Sequence, residues 1–428
     1  MAASTCARPG GTVTSVMRTS AEAEGAFRFL ENPRVEAEAI GDAVGMSTAE
    51  ACDEHGVVFV AIDQTDLSFV DRKGIRGLGP DHTKTSRHRR GVQVMNALAL
   101  DERGVPLGLL DQQWWCRKEE RSPDFMVDKR PPQERESYFW VRTIDRCDAR
   151  LAQAARRCRP WYIADRGCDG AEFLHQALDR NRLFTVRTAY NRVIQDSRGR
   201  KRKLYSTLAR APLLGTIGID LPRAHNRRAR RTRCEVRALE HVRIRLGRTY
   251  RTLSVVMVKE TGHRGEPICW RLLTTAPVSS LVEANQVIRS YTFRWRVEEF
   301  HRTWKSGGCN VERSQLRSLK ALRAWATILA AVSTRIERLK RLSRQTPDVS
   351  ALTEVSQDEI DLAIAYTEDK RWKRGEQISL KEAVRLIAMV GGYMGRKGYG
   401  PPGSITIGRG LERLGPAVIA LQNMKRSD

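Results

Sequence analysis

The sequence predicts an α/β protein: a mixed sheet core, a β-rich insertion within it, and a helical C-terminal region. Three observations lead there. Two short apolar runs, VVFVAID ending at Asp63 and WYIAD ending at Asp165, have the length and β-branched content of buried strands. Strand and helix patterns then alternate along the chain instead of segregating. Beyond Leu316 the pattern turns helical, in LKALRAWATILAAVSTRIERLKRL and again in SLKEAVRLIAMVGGYMG.

Taken in order, residues 1–25 are small and polar, with Gly10-Gly11, and read as a disordered leader. After the Asp63 strand, GVQVMNALALD (91–101) and VPLGLLDQQWW (105–115) flank Glu-Arg-Gly as a hairpin. Past Asp165, AEFLHQALD (171–179) reads as a helix and LFTVRT (183–188) as a strand. Two basic runs, RGRKRK (198–203) and RAHNRRARRTR (223–233), precede the strand-like RTLSVVMVK (251–259) and CWRLLTT (269–275). The expected divisions are a core of 57–189 with 278–320, an insertion of 190–277 and a helical region of 321–428.

Composition bounds the partner. Lys and Arg number 75 against 50 Asp and Glu, a net charge of +25, so a polyanion is expected and nucleic acid is the commonest. An apolar run long enough to span a membrane is absent, since AWATILAAV is short and flanked by Arg323 and Arg335. The nine cysteines contain no C-x-x-C pair, which argues against zinc or a disulfide framework and suits a reducing cytoplasm.

The stretch YTFRWRVEEFHRTWK (291–305) concentrates the chemistry. On one continuous helix, Tyr291, Arg294, Glu298, Arg302 and Lys305 share an arc of roughly 80°, opposite Phe293, Val297, Phe300 and Trp304. Glu299 and Arg296 point elsewhere, so replacing Glu299 is expected to be mild. A surface helix with i,i+4 ion pairs is the bland alternative. Asp63 and Asp165 at strand ends, with Glu298 on a helix face, are a set of hard oxygen donors that suits Mg²⁺ or Mn²⁺ and phosphoryl transfer.

The spacing Y-x-x-R-x-x-x-E-x-x-x-x-x-x-K, carried by Tyr291, Arg294, Glu298 and Lys305, resembles the signature of DDE transposases of the insertion-sequence-four family, Tn-five-like group. AIDQTDLSF and IADRGCDG resemble its two aspartate blocks, and the likeness runs from about Ala26 to about Leu421. The resemblance implies an RNase H-like core. It implies a catalytic, metal-binding triad of Asp63, Asp165 and Glu298 using two Mg²⁺ ions, with Mn²⁺ as a substitute. Tyr291, Arg294 and Lys305 would grip phosphates, Trp270 would stack on a flipped base, and Arg187 would contact DNA; Arg302 joins them by geometry. The implied partners are double-stranded DNA, both inverted repeats and target, and a second copy paired through the helical C-terminal region. The implied place is the nucleoid and the implied chemistry is cut and paste through a hairpin.

Two features depart from the family pattern. Gly167 stands where an acid is usual, although Asp169 is retained. Residues 26–56 resemble only the remnant of a helical end-recognition region, with about 26 residues ahead of FRFLENPRVEAEAI. Two other readings are therefore an N-terminally shortened, non-end-specific regulator that inhibits full-length transposase, and a basic DNA-binding protein without catalysis.

Overall fold

The computed structural model describes residues 5, 9–17, 19–71, 76–80, 89–117, 135–196, 198–221, 229–262, 267–396, 398 and 400–427. Their strands are β1 (Val57–Val70), β2 (Gly79–Pro80), β3 (Arg89–Leu100), β4 (Pro106–Trp115), β5 (Arg159–Ala164) and β6 (Leu183–Arg187). The second half of the sheet adds β7 (Val193–Gln195), β8 (Lys201–Lys203), β9 (Leu213–Leu221), β10 (Arg230–Leu246), β11 (Thr249–Glu260) and β12 (Cys269–Thr274). All twelve form one sheet in the order β2-β3-β1-β5-β6-β12-β11-β10-β7-β8, with β4 paired to β3 and β9 to β10. Only β1, β5 and β6 run parallel to one another. The expected hairpin is β3–β4, and the insertion's last strand, β12, joins the core directly on β6.

Alternation along the central strands feeds two cores. Val58, Val60, Ile62, Tyr162 and Phe184 face one side, where helices Glu136–Ala154 and Ala171–Asp179 bury Phe139, Ile144, Leu151, Phe173 and Leu174 against them. Ala61, Leu98, Trp161 and Ile163 face the other side. There helices Leu281–Thr292, Trp295–Arg302 and Leu319–Gln345 bring Val287, Val297, Phe300 and Trp325. The Leu319–Gln345 helix also receives Gln357–Thr367, Leu380–Val390 and Ser404–Ser427. The last two approach at backbone distance: a Cβ on Gly410 would lie 1.8 Å from the Ile387 carbonyl oxygen. Among the described residues no helix is long and apolar enough to cross a membrane.

Three sequence expectations change here. β1 does not stop at Asp63 but continues to Val70, because its antiparallel partner β3 pairs with it as far as Val70↔Arg89. The expected disordered leader is ordered where described. Thr12 caps a short helix, Val13–Val16, through Ser15 N; Val13, Val16 and Met17 are buried in the core. The Trp325 indole donates to the Gly11 carbonyl at 3.1 Å. Val13, Val16 and Met17 fall at helical spacing, so one small apolar stripe suffices to seat the segment. Residues 1–4, 6–8 and 18 of that leader lie outside the described residues, as do 222–228 of the second basic run. Finally, the 291–305 stretch is not one continuous helix. The first helix ends at Thr292, Phe293 and Arg294 form a tight turn, a second helix spans Trp295–Arg302, and Thr303–Gly307 widens into a π-turn.

Candidate active site

Strand register builds the floor of the site. Ile62 pairs with Ala164, and Ala164 with Val186. One residue further along each parallel strand stand Asp63, Asp165 and Arg187, level with one another and on the same face. Asp165 does sit at a strand end, where β5 gives way to a 3₁₀ turn, and its Oδ1 accepts from Gly167 N at 2.7 Å. Asp63 lies within β1 but at the end of its parallel pairing, so that flank of the strand opens where β5 stops. Gln64 N donates to Asp63 Oδ1 at 2.9 Å.

The Trp295–Arg302 helix supplies the roof. Val297, Phe300 and, beyond the helix, Trp304 anchor it in the core, with the Phe300 and Trp304 rings stacked at 5.6 Å. That anchoring turns Glu298 toward the aspartates. Arg294 ties the two layers: its Nη2 lies 2.7 Å from Glu298 Oε1 and its Nη1 3.5 Å from Asp63 Oδ2. Burial pushes the Asp63 carboxyl up to about 7; the Arg294 charge opposes that rise, and the charges of Asp165 and Glu298 add to it. The three acids therefore share one electrostatic site.

A second, buried polar chain supports this arrangement. Asn96 is the register partner of Asp63. It accepts from Gln112 Nε2 at 2.7 Å and donates to His301 Nε2 at 3.0 Å. Burial, with the nearby charges of Lys305 and Arg294, drops the His301 pKa to about 3, so the ring is neutral and can accept that bond. Nothing in the linear sequence singles out Asn96 or Gln112. Their place next to the site follows only from pairing β3 with β1 and β4.

Six of the nine expected site residues gather here: Asp63, Asp165, Glu298, Arg294, Tyr291 and Arg187. Arg294, Arg187 and Asp165 all act electrostatically on the Tyr291 phenol. Lys305 lies at the margin. The π-turn brings its Nζ to the Asp66 carbonyl at 2.5 Å and within 3.7 Å of Glu312 Oε1. Arg302 is exposed on the outer side of the helix. Trp270 and Tyr291 do not present rings to solvent. They are 6 % and 2 % exposed and meet edge to face at 5.4 Å. Trp270 faces inward because, on β12, it shares a face with the core residue Leu272; in this conformation its ring is closed to a flipped base.

The Glu299 carboxylate binds Arg296 at 3.3 Å, Lys340 at 3.8 Å and, most closely, Arg341, joining this helix to Leu319–Gln345. Burial pushes its pKa up, but Lys340, Arg341 and Arg296 overcome that and hold it near 2. Glu299 lies off the Glu298 side, as expected, and its added role is structural: another helix packs on it and supplies Lys340 and Arg341.

The two departures around the second aspartate also acquire a physical setting. Asp169 is buried, accepting from Ala189 N and Arg192 Nη1 at 2.6 Å each, and so fastens the Asp165 loop to the first residues after β6. At Gly167 a Cβ would come within 3.1 Å of Asp165 Oδ1 and 3.3 Å of Trp140 Cζ2. A side chain there would have to displace one of them slightly.

Asp63, Asp165 and Glu298 form an all-oxygen donor set of the kind hard divalent cations take. Among the described residues no three acidic, histidine or cysteine side chains stand together as a ready metal site. The guanidinium of Arg294 stands between Asp63 and Glu298. The chemistry of the three carboxylates suits a hard divalent ion, and Arg294 is the positive charge that two of them hold here.

Two aspartates set level on neighbouring parallel strands, with Glu298 linked to one of them, lie in a chain of net charge +25. Comparison with known families makes this specific. Residues 130–335 match the transposase DDE domain, and residues 331–425 match the transposase Tn5 dimerisation domain. The two matches support a transposase in which a DDE domain is followed by a Tn5-type dimerisation domain. The first match takes in Asp165 and Glu298 but begins after Asp63, which strand register alone brings to them.

Proposed function

We propose that the protein cuts and joins the DNA ends of an insertion sequence of the insertion-sequence-four type, by cut-and-paste transposition through a hairpin, on an RNase H-like core. The observation that supports this reading is that register sets Asp63 level with Asp165 on neighbouring parallel strands, while Arg294 links Asp63 to Glu298 of the helix. These three residues would hold Mg²⁺, or Mn²⁺ in its place, as two ions. Such ions supply Lewis-acid polarisation of the phosphate and a nucleophilic oxygen at neutral pH.

The residues divide the work. Asp165, fixed by Gly167 N at the end of β5, and Asp63, fixed by Gln64 N within β1, present carboxylate oxygens from a rigid sheet. Glu298 closes the set from the helix. Arg187, level with the two aspartates, and Arg302, exposed on the outer side of the helix, would bind phosphate oxygens of the DNA. Lys305 would join them on releasing Asp66 and Glu312. Tyr291 and Trp270 would serve in their buried positions as the wall behind Arg294; base stacking on Trp270 requires its ring to leave the core. A second copy of the chain would bind through the 331–425 region.

The test is metal-dependent nicking and strand transfer on duplexes carrying the element's ends. Cleavage that requires Mg²⁺ or Mn²⁺ and leaves hairpin ends supports the proposal. DNA binding without preference for the ends, and no cleavage under any divalent ion, favours the regulator reading.

A further inference from the structure

Arg294 is better placed to govern metal loading than to wait for DNA. It is 7 % exposed and makes its two ion pairs with the very carboxylates that would ligate a cation. Its guanidinium stacks over the Trp295 ring at 4.9 Å and over Tyr291 at 5.9 Å, which confines it to the slot between strand and helix. Its Nε is buried without a hydrogen-bond partner. An arginine fork has five N–H donors, and a buried one left unmade is costly. The arrangement is therefore occupied but incomplete.

We propose that Arg294 is an internal counter-ion which holds the Asp63–Glu298 pair in the DNA-free protein and gives way when a DNA phosphate offers it a better acceptor. The inference rests on the metal-triad reading above. Without DNA, a divalent ion must compete with a guanidinium already bonded to two of its three ligands. A phosphate oxygen pair matches the planar fork bidentately and supplies an acceptor for the unused Nε. Moving the guanidinium toward phosphate frees both carboxylates at once, so that metal binding and DNA binding favour each other. By linkage the coupling is reciprocal. The protein is thereby kept from assembling a competent metal site away from its substrate.

The experiment measures Mn²⁺ affinity of the full chain by electron paramagnetic resonance of the free ion, with and without a short random-sequence duplex, after subtracting binding to the duplex alone. The wild type should bind Mn²⁺ weakly without DNA and roughly tenfold or more tightly with it (about 1.4 kcal/mol). Arg294→Gln should bind tightly in both conditions. Arg28→Gln, which removes an exposed charge paired with Glu24 outside the slot, should behave without DNA as the wild type does. Arg294→Lys keeps the charge but cannot span both carboxylates, and should fall between wild type and Arg294→Gln. It carries the test if Arg294→Gln does not fold. Asp165→Asn should weaken binding in every background. Equal Mn²⁺ affinity for wild type and both Arg294 variants, unaffected by duplex yet weakened by Asp165→Asn, would overturn the counter-ion role and leave the triad standing. Binding insensitive to Asp165→Asn in all variants would overturn the triad and the inference together.

Discussion

Glu298 and Glu299 are neighbours in sequence on the Trp295–Arg302 helix and face different halves of the molecule. On the Glu298 side one guanidinium, that of Arg294, is shared between Asp63 and Glu298, and Asp165 adds a third negative charge that acts on Asp63. On the Glu299 side the balance is reversed: one carboxylate is surrounded by Arg296, Lys340 and Arg341. Nearby Glu337 pairs with Lys340 and accepts from Thr303. Burial pushes Asp63 up to about 7, with Asp165 and Glu298 adding to the rise against Arg294, whereas at Glu299 the charges of Lys340, Arg341 and Arg296 overcome burial and hold it near 2. A site short of cations binds them from outside; a site with its own cations is finished at folding. One helix therefore carries an unsaturated functional face and a saturated structural face, and the distinction lies in what packs on each side, not in the residue type.

Removing the acids breaks this contrast most severely. Asp63→Ala or Asp165→Ala should lower end cleavage by about a thousandfold or more (roughly 4 kcal/mol of barrier), while gel-shift affinity for DNA changes little. Retained cleavage in either variant would remove that residue from the triad.

Next in size is the anchor. Glu299→Ala leaves Arg341 and Arg296 without their partly buried partner, a change that costs about 2–3 kcal/mol, less than for a fully buried pair. Chemical denaturation should register that loss. A shift under about 0.5 kcal/mol, the scale of an ordinary surface replacement, would remove Glu299 from the contacts that hold the two helices together.

The residue types and offsets of Tyr291, Arg294, Glu298 and Lys305 were legible in the sequence, as were the two aspartates, because apolar strand runs ending in an acid announce themselves. The assumption of one continuous helix failed. The turn at Phe293–Arg294 and the π-turn at Thr303–Gly307 are imposed by packing of Phe293, Phe300 and Trp304, which no local pattern reveals. The same blindness hid Glu299's partners, contributed by residues 340 and 341, and the Asn96–His301 bond across 205 positions. Trp270 and Tyr291 were legible as aromatics of a motif but not as buried ones, since burial depends on which helix covers β12.

Titration separates the two faces again. Because the folded-state pKa of Asp63 is raised, the native protein holds a proton that the unfolded chain has released, and stability contributed below pH 4 is lost as pH climbs toward about 7. Asp63→Asn removes that loss. In the metal-free protein its stability advantage over wild type should grow between pH 4 and 7, reaching on the order of 2–4 kcal/mol. For Glu299 the sign is opposite: its contribution is present above pH 4.5 and disappears as pH falls toward 2. An Asp63→Asn advantage that stays constant across this window would contradict the crowding of acids on the Glu298 side.

The smallest effect is spread over the surface. Lys201, Arg202, Lys203 and Arg210 line a shallow groove of about 470 Å³ on the insertion. Replacing all four with Gln should flatten the dependence of log affinity on log salt, by up to about 0.9 for each phosphate that is no longer neutralised. An unchanged slope would leave the groove no part in holding phosphate.

Whether one helix separates a catalytic face from a structural one is tested most directly by comparing Glu298→Gln with Glu299→Gln in two assays run side by side: end cleavage at a temperature where both are folded, and thermal unfolding of the metal-free protein. Glu298→Gln should abolish cleavage while leaving the unfolding temperature within a few degrees of wild type, and Glu299→Gln should cleave while unfolding well below it. The reverse pattern, or loss of both properties in both variants, would contradict that separation.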